Sequence, residues 1–143
     1  MKYFAYGSNM NEKRMIDRGV SFKSKVKGIL KGYRFVINKM SQKDNNIGFA
    51  NIIKDDTSEV EGIVYEVAHE DILKLDKYES APKHYRREIH KINGEDTIVY
   101  IANDLWISKN TLETTEEYKN HILEGKDFLS ESYYNKLLEI KTI

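Results

Sequence analysis

Residues 3–12 read YFAYGSNMNE: an apolar run, a glycine corner, and then the start of a helix. Tyr3-Phe4-Ala5-Tyr6 has the composition of a buried strand. Gly7 permits a tight exit from that strand. Asn9 and Glu12 stand three residues apart, the spacing of a capping box, which predicts a helix over residues 11–18. Successive backbone N–H groups in such a turn, joined to the positive end of a helix dipole, make a pocket suited to a carboxylate or an oxyanion. An ordinary strand-to-helix connection has the same pattern, so the corner alone leaves both readings open.

Working outward, Val26–Leu30 and Tyr33–Ile37 are β-branched and aromatic runs separated by Lys31-Gly32, a turn or bulge signal, and are expected as two strands. Asp44-Asn45-Asn46 reads as a loop. Phe49–Ile53 and Val60–Val67 follow as strands on either side of the turn residues Asp55-Asp56-Thr57-Ser58. Glu88–Ile92 and Thr97–Ile101 flank Asn93-Gly94, a pair suited to the positive φ of a tight hairpin. With the opening strand, about seven strand candidates result. Helical spacing is confined to residues 11–18, residues 69–79 and a C-terminal region from Thr114 that breaks near Gly125. Pro82 falls in the loop after the middle helix. A run of strands with helices inserted and appended, lacking βαβα alternation, predicts an α+β fold built on a curled sheet or small barrel.

A second stretch stands out, Ile72-Leu73-Lys74-Leu75-Asp76-Lys77-Tyr78-Glu79. Ile72, Leu75, Asp76 and Glu79 fall at helical spacing, so one face carries both apolar groups and carboxylates. If that face meets the core, Glu79 ends a helix where burial and the negative dipole end both disfavour its charge. A carboxyl tuned upward suits general acid–base chemistry near neutral pH. The competing reading is a rotated helix with Glu79 solvated and paired to Lys83.

The chain has 143 residues, a length suited to a single domain spanning residues 1–143. Its 23 basic and 23 acidic residues balance, without the excess of cations that drives binding to nucleic acid. There is no cysteine, which removes disulfides, thiolate nucleophiles and sulfur-ligated metals. No apolar run approaches a membrane span, and no signal-peptide core opens the sequence; the expectation is a soluble cytoplasmic protein. The four histidines, His69, His84, His90 and His121, lack metal-ligand spacing, and no metal is expected. Ser8 has no GxSxG setting and reads as a positioning residue, and neither dinucleotide nor nucleoside triphosphate motifs occur.

In combination these pieces resemble the γ-glutamylcyclotransferase-like superfamily, the γ-glutamylcyclotransferase and AIG2-like proteins. The resemblance rests on Tyr3–Asn9, on Val60-x-Gly62-Ile63-Val64-Tyr65 leading to Leu75-Asp76-Lys77-Tyr78-Glu79, and on Tyr85-Arg86-Arg87. It continues through Tyr118–Leu123, Gly125, Leu129 and Tyr133–Leu137, which look like the tail of the γ-glutamylcyclotransferase proper. It implies a small closed mixed β-barrel flanked by short helices, with a cavity at one barrel end. It also implies a cofactor-independent carbon–nitrogen lyase that releases 5-oxoproline from a small γ-glutamyl amino acid or amine. Glu79 would then be the catalytic acid/base, Tyr6, Gly7, Ser8 and Asn9 would hold the γ-glutamyl group mainly through backbone amides, and Tyr118 would line the site. The family often has glycine directly after the glutamate; here it is Ser80, and if that position needs positive φ the serine adds strain. Two further readings share these residues: removal of a γ-glutamyl protecting group during biosynthesis, and a binding module without turnover, which would have little reason to bury Glu79. Oligomeric state, monomer or homodimer, is not written in the sequence.

Overall fold

A computed structural model describes residues Met1–Ile143. The chain forms β1 (Lys2–Ala5), α1 (Glu12–Asp17), β2 (Ser24–Met40), β3 (Gly48–Glu66), α2 (His69–Tyr78), β4 (Tyr85–Ile92), β5 (Glu95–Ala102), α3 (Glu116–Leu123) and α4 (Glu131–Leu138). Short 3-10 turns sit at Ser8–Met10, Asp104–Trp106 and Lys126–Phe128. The fold is α+β. Its sheet runs β2-β3-β1-β5-β4 and is mixed, because β1 pairs with β5 in parallel and every other pair is antiparallel.

Five strands replace the expected seven. Val26–Leu30 and Tyr33–Ile37 belong to one strand, β2, and Phe49–Ile53 and Val60–Val67 to another, β3. The two punctuating segments face each other: Lys31 pairs with Glu59 and Tyr33 with Lys54, so Gly32 alone opposes Asp55–Ser58. The turn chemistry is present, with Gly32 at φ +85 and the Asp55 carboxylate accepting the Thr57 amide at 3.1 Å and the Ser58 hydroxyl at 2.9 Å. It makes a bulge in a single hairpin, because the runs on either side keep the same partner; such bulges bend the sheet. The hairpin at Asn93-Gly94 forms as expected, with φ of +55 and +79.

The sheet curls until its edges meet. No backbone ladder joins β2 to β4; instead a Cβ at Gly28 would lie 3.0 Å from Ile92, and the Asn93 side-chain Nδ2 donates to the Lys27 carbonyl at 3.0 Å. β1 is the inner strand, and Tyr3, Phe4 and Ala5 are all buried. An inner strand covered on both faces reads as an unbroken apolar run, the pattern the sequence shows there. β3 crosses β1 at Gly62, where a Cβ would stand 2.4 Å from the Ala5 carbonyl oxygen and 2.9 Å from the Phe4 ring.

The helices close around this sheet. α1 is capped by Asn11, whose side chain accepts the Lys13 amide, and not by the Asn9–Glu12 box expected from spacing. The intervening 3-10 turn puts the cap at Asn11, two residues after Asn9, and releases Asn9 for other bonds. Thr115 caps α3, and Ser130 caps α4 while its own amide and hydroxyl are held by the buried Glu61 carboxylate at 2.7 Å each. Between them Gly125 lies against Met10, where a Cβ would meet the sulfur at 2.7 Å, so the break in helical pattern marks a close approach to the opening corner. No helix is long and apolar enough to cross a membrane. Replacing Gly62 by Ala forces β3 away from β1 and is expected to destabilise the protein by about 3 kcal/mol, read as a fall in the chemical-denaturation midpoint with unchanged m-value.

Candidate active site

Glu79 is delivered by α2. Ile72 and Leu75 pack that helix into the core, and Asp71 fastens its start by accepting the Ala68 amide. Asp76, on the same face, is tied to Arg87 and to the Tyr100 hydroxyl, the latter at 2.6 Å. The helix then ends in a Schellman turn: the Ala81 amide reaches back to the Asp76 carbonyl at 2.9 Å and the Ser80 amide to Lys77 at 3.2 Å. Ser80 occupies the left-handed position of that turn, at φ +50. The position does require positive φ, and serine adopts it without moving Glu79 out of the cavity.

That cavity has a volume of about 740 Å³ and opens at the end of the sheet where β1 passes into the corner. Tyr6, Gly7, Ser8, Asn9, Glu79 and Tyr118 all line it, so every site residue expected from the sequence converges there. Glu79 is its single carboxylate. The Glu79 side chain accepts no hydrogen bond and forms no ion pair; burial raises its pKa above the ordinary carboxylate value, opposed at longer range by Arg18, Arg14 and Lys39. The pairing with Lys83 does not occur.

The corner is held from outside. Gly7 has φ −117, so its need for glycine lies in proximity: a Cβ would come within 2.9 Å of the Ala50 side chain. Ser8 and Asn9 are buried, yet the backbone amides of Gly7, Ser8 and Asn9 donate to no group of the chain. The Asn9 side chain is already committed, donating to the Tyr3 hydroxyl at 2.9 Å and accepting from Arg18 at 3.0 Å, and its carbonyl accepts from Tyr65. What the corner offers a ligand is therefore its amides. Tyr118 receives the Ala50 amide at 3.1 Å, and burial pushes its hydroxyl up to about 12, which keeps it a neutral donor.

Sequence reasoning missed the cations and four further tyrosines of the wall, Tyr3, Tyr78, Tyr85 and Tyr100. Arg14 on α1 and Arg18, the residue that caps its end, are a legible i, i+4 pair, and the Arg14 Nε is buried without a partner. Lys39 comes from the end of β2 and His84 from the segment after α2, and nothing in either local sequence announces that they meet.

The curled mixed sheet thus brings one unpaired glutamate and a corner of free amides into one cavity. The family description "Gamma-glutamyl cyclotransferase, AIG2-like" matches residues 3–128, and the chain belongs to that family of enzymes. Among solved structures, one described as γ-glutamyl cyclotransferase is 23% identical and superposes with a TM-score of 0.81 over 100% of this chain and 89% of its own. A human protein described as uncharacterized is also 23% identical, with a TM-score of 0.81 over 99% of this chain and 88% of its own. A yeast γ-glutamyl cyclotransferase specific to glutathione is 14% identical, with a TM-score of 0.67 over 98% of this chain and 96% of its own. These structural likenesses show the shared fold. A search of curated proteins finds no match to the chain.

Replacing Ser80 by Gly relieves the left-handed conformation and removes one hydroxymethyl group from the cavity lining beside Glu79. The expected result is a gain of about 1 kcal/mol in unfolding free energy, seen as a rise in Tm of roughly 3 °C, with the fold unchanged.

Proposed function

We propose that this enzyme releases 5-oxoproline from a γ-glutamyl compound, with Glu79 moving the proton. The observation that carries the reading is the unpaired, desolvated Glu79 carboxylate in the same cavity as the free amides of Gly7, Ser8 and Asn9.

A γ-glutamyl group contains its own nucleophile, the α-amino group, and its own electrophile, the γ-carbonyl carbon. Glu79 takes a proton from the α-ammonium, and the freed nitrogen attacks the γ-carbonyl to form a five-membered ring with an oxyanion. As the oxyanion collapses, the bond to the departing nitrogen breaks and that nitrogen receives the proton from Glu79, after which the ring nitrogen gives up its second proton to the Glu79 carboxylate, which passes it to solvent. The products are 5-oxoproline and a free amine, and the carboxylate is regenerated. No water is consumed. A raised pKa suits Glu79 to both transfers, because the group must accept a proton readily and return it readily.

Gly7, Ser8 and Asn9 amides, with Arg14 beside them, supply donors for the α-carboxylate and the oxyanion. Holding the glutamyl chain folded between these donors and Glu79 brings nitrogen and carbonyl to attack distance, which by itself lowers the barrier. The tyrosine-rich wall supports this by excluding water from the reacting atoms while Tyr6 and Tyr85 remain bonded to the carbonyls of Tyr100 and Ala50.

Glu79→Gln is expected to lower kcat for 5-oxoproline release by about 10³-fold, the scale of lost general acid–base catalysis, measured by mass spectrometry on a panel of γ-glutamyl compounds. Because the ionised form must accept the first proton, kcat/KM should fall in acid as Glu79 becomes protonated, with a midpoint above 4.5. Wild-type activity without such an acid limb, or full activity in the Gln variant, would contradict the assignment.

A further inference from the structure

The cavity holds more positive charge than a γ-glutamyl group can use. Four formal cations line it, Arg14, Arg18, Lys39 and Lys43, against the single carboxylate of Glu79, in a chain whose net charge is zero. Arg14 and Arg18 stand with the corner on α1. Lys39 is separate: it lies at the far end of β2, among Phe49, Tyr85 and Trp106, with its nitrogen 5.7, 5.6 and 5.0 Å from those ring centres. Glu79 lines the same cavity as both groups of cations.

Lys39 is only 5% exposed, and no carboxylate of the chain stands within ion-pair distance of it. One of its three N–H donors is used, against His84 Nδ1 at 2.8 Å. His84 is itself buried and stacked on Trp106 with ring centroids 3.9 Å apart, so the imidazole is fixed as an acceptor and the ammonium is held in one place. The rings offer some compensation through their faces, but two N–H donors remain without an acceptor. A buried ammonium in that state is stabilised strongly by an anion that brings its own oxygens.

We propose that Lys39, positioned by His84, is the specificity residue for the departing half of the substrate, and that it binds a carboxylate there. The enzyme would then favour γ-glutamyl amino acids, whose departing amine carries a carboxylate, over γ-glutamyl amines that lack one. This rests on the cyclotransferase reading above. A γ-glutamyl amino acid carries an α-carboxylate and an α-ammonium at one end and a second carboxylate beyond the γ-amide, a charge set that the corner cations, Glu79 and a separate cation at Lys39 complement within one cavity. The ring-closing chemistry is unchanged; the carboxylate that Lys39 holds leaves with the amine.

The test compares γ-L-glutamyl-L-alanine with γ-L-glutamyl-L-alaninamide, which differ in charge and hardly in size, on wild type and on Lys39→Met. The ratio of their kcat/KM values is the readout. Wild type is expected to favour the free carboxylate, and Lys39→Met to reduce that ratio by about 10- to 100-fold, the scale of one lost charge-assisted hydrogen bond. Lys39→Arg, which restores the charge, should recover part of the ratio. An unchanged ratio in Lys39→Met overturns the proposal and leaves the cyclotransferase reading standing. If the Met variant does not fold, the wild-type ratio decides alone, and a ratio at or below one overturns the proposal. Absence of 5-oxoproline from both compounds with wild type overturns the reading on which the proposal rests.

Discussion

β1 is four residues long and is wedged between an antiparallel neighbour, β3, and a parallel one, β5. That wedge determines where every wall of the cavity stands. The strand is buried on both faces, so it can end only where the sheet ends, and the chain must turn there across the mouth of the curl. Gly62 lets β3 pass against the Ala5 carbonyl, and Gly7 lets the corner pass against Ala50. Each approach is backbone or Cβ against Cβ, with no flexible side chain to absorb an error. The corner is consequently fixed by covalent geometry and packing, and its amides remain free because the sheet has no further strand to offer them.

Glu79 is placed by a different device with the same effect. α2 is anchored along one face by Ile72, Leu75 and the Asp76 bonds to Arg87 and Tyr100, and the Schellman turn at Ser80 reverses the chain immediately after the glutamate. A carboxylate at the C-cap of a helix meets the negative end of the dipole, and here it also lacks a donor. Burial disfavours its charge, and the cations at Arg14, Arg18 and Lys39 moderate that without neutralising it by contact. The balance leaves a group able to exchange a proton, whereas a contact ion pair of the kind Asp76 makes holds a carboxyl below its ordinary range. Two carboxylates on one helix face thus have opposite roles, set by whether an arginine touches them.

Much of this was legible in the sequence where the signal is local. Helical spacing put Leu75 and Glu79 on one face of α2, and the glycine after an aromatic strand marked the corner. The family resemblance joined the two into one cavity. The errors came where local signals meet through pairing. Lys31-Gly32 and Asp55–Ser58 are true turn sequences, but they sit opposite each other in one hairpin, and only the register shows that they cancel as strand ends. The Asn9–Glu12 spacing was overridden by a 3-10 turn that moved the cap to Asn11 and left Asn9 to brace Tyr3 and Arg18. Lys39 and His84 are 45 residues apart, and their meeting depends on how β2 and the segment after α2 converge at one end of the sheet, which no local pattern encodes.

The most direct measurement is the ionisation of Glu79 itself, followed through its side-chain carboxyl carbon by NMR titration of the ligand-free protein, with Glu79→Gln used to assign the signal. A midpoint above the ordinary value of 4.5 is expected, because the free carboxylate is desolvated and unpaired. A midpoint at or below 4.5 would mean that the group is paired or well hydrated in solution, and would contradict its role as the proton carrier.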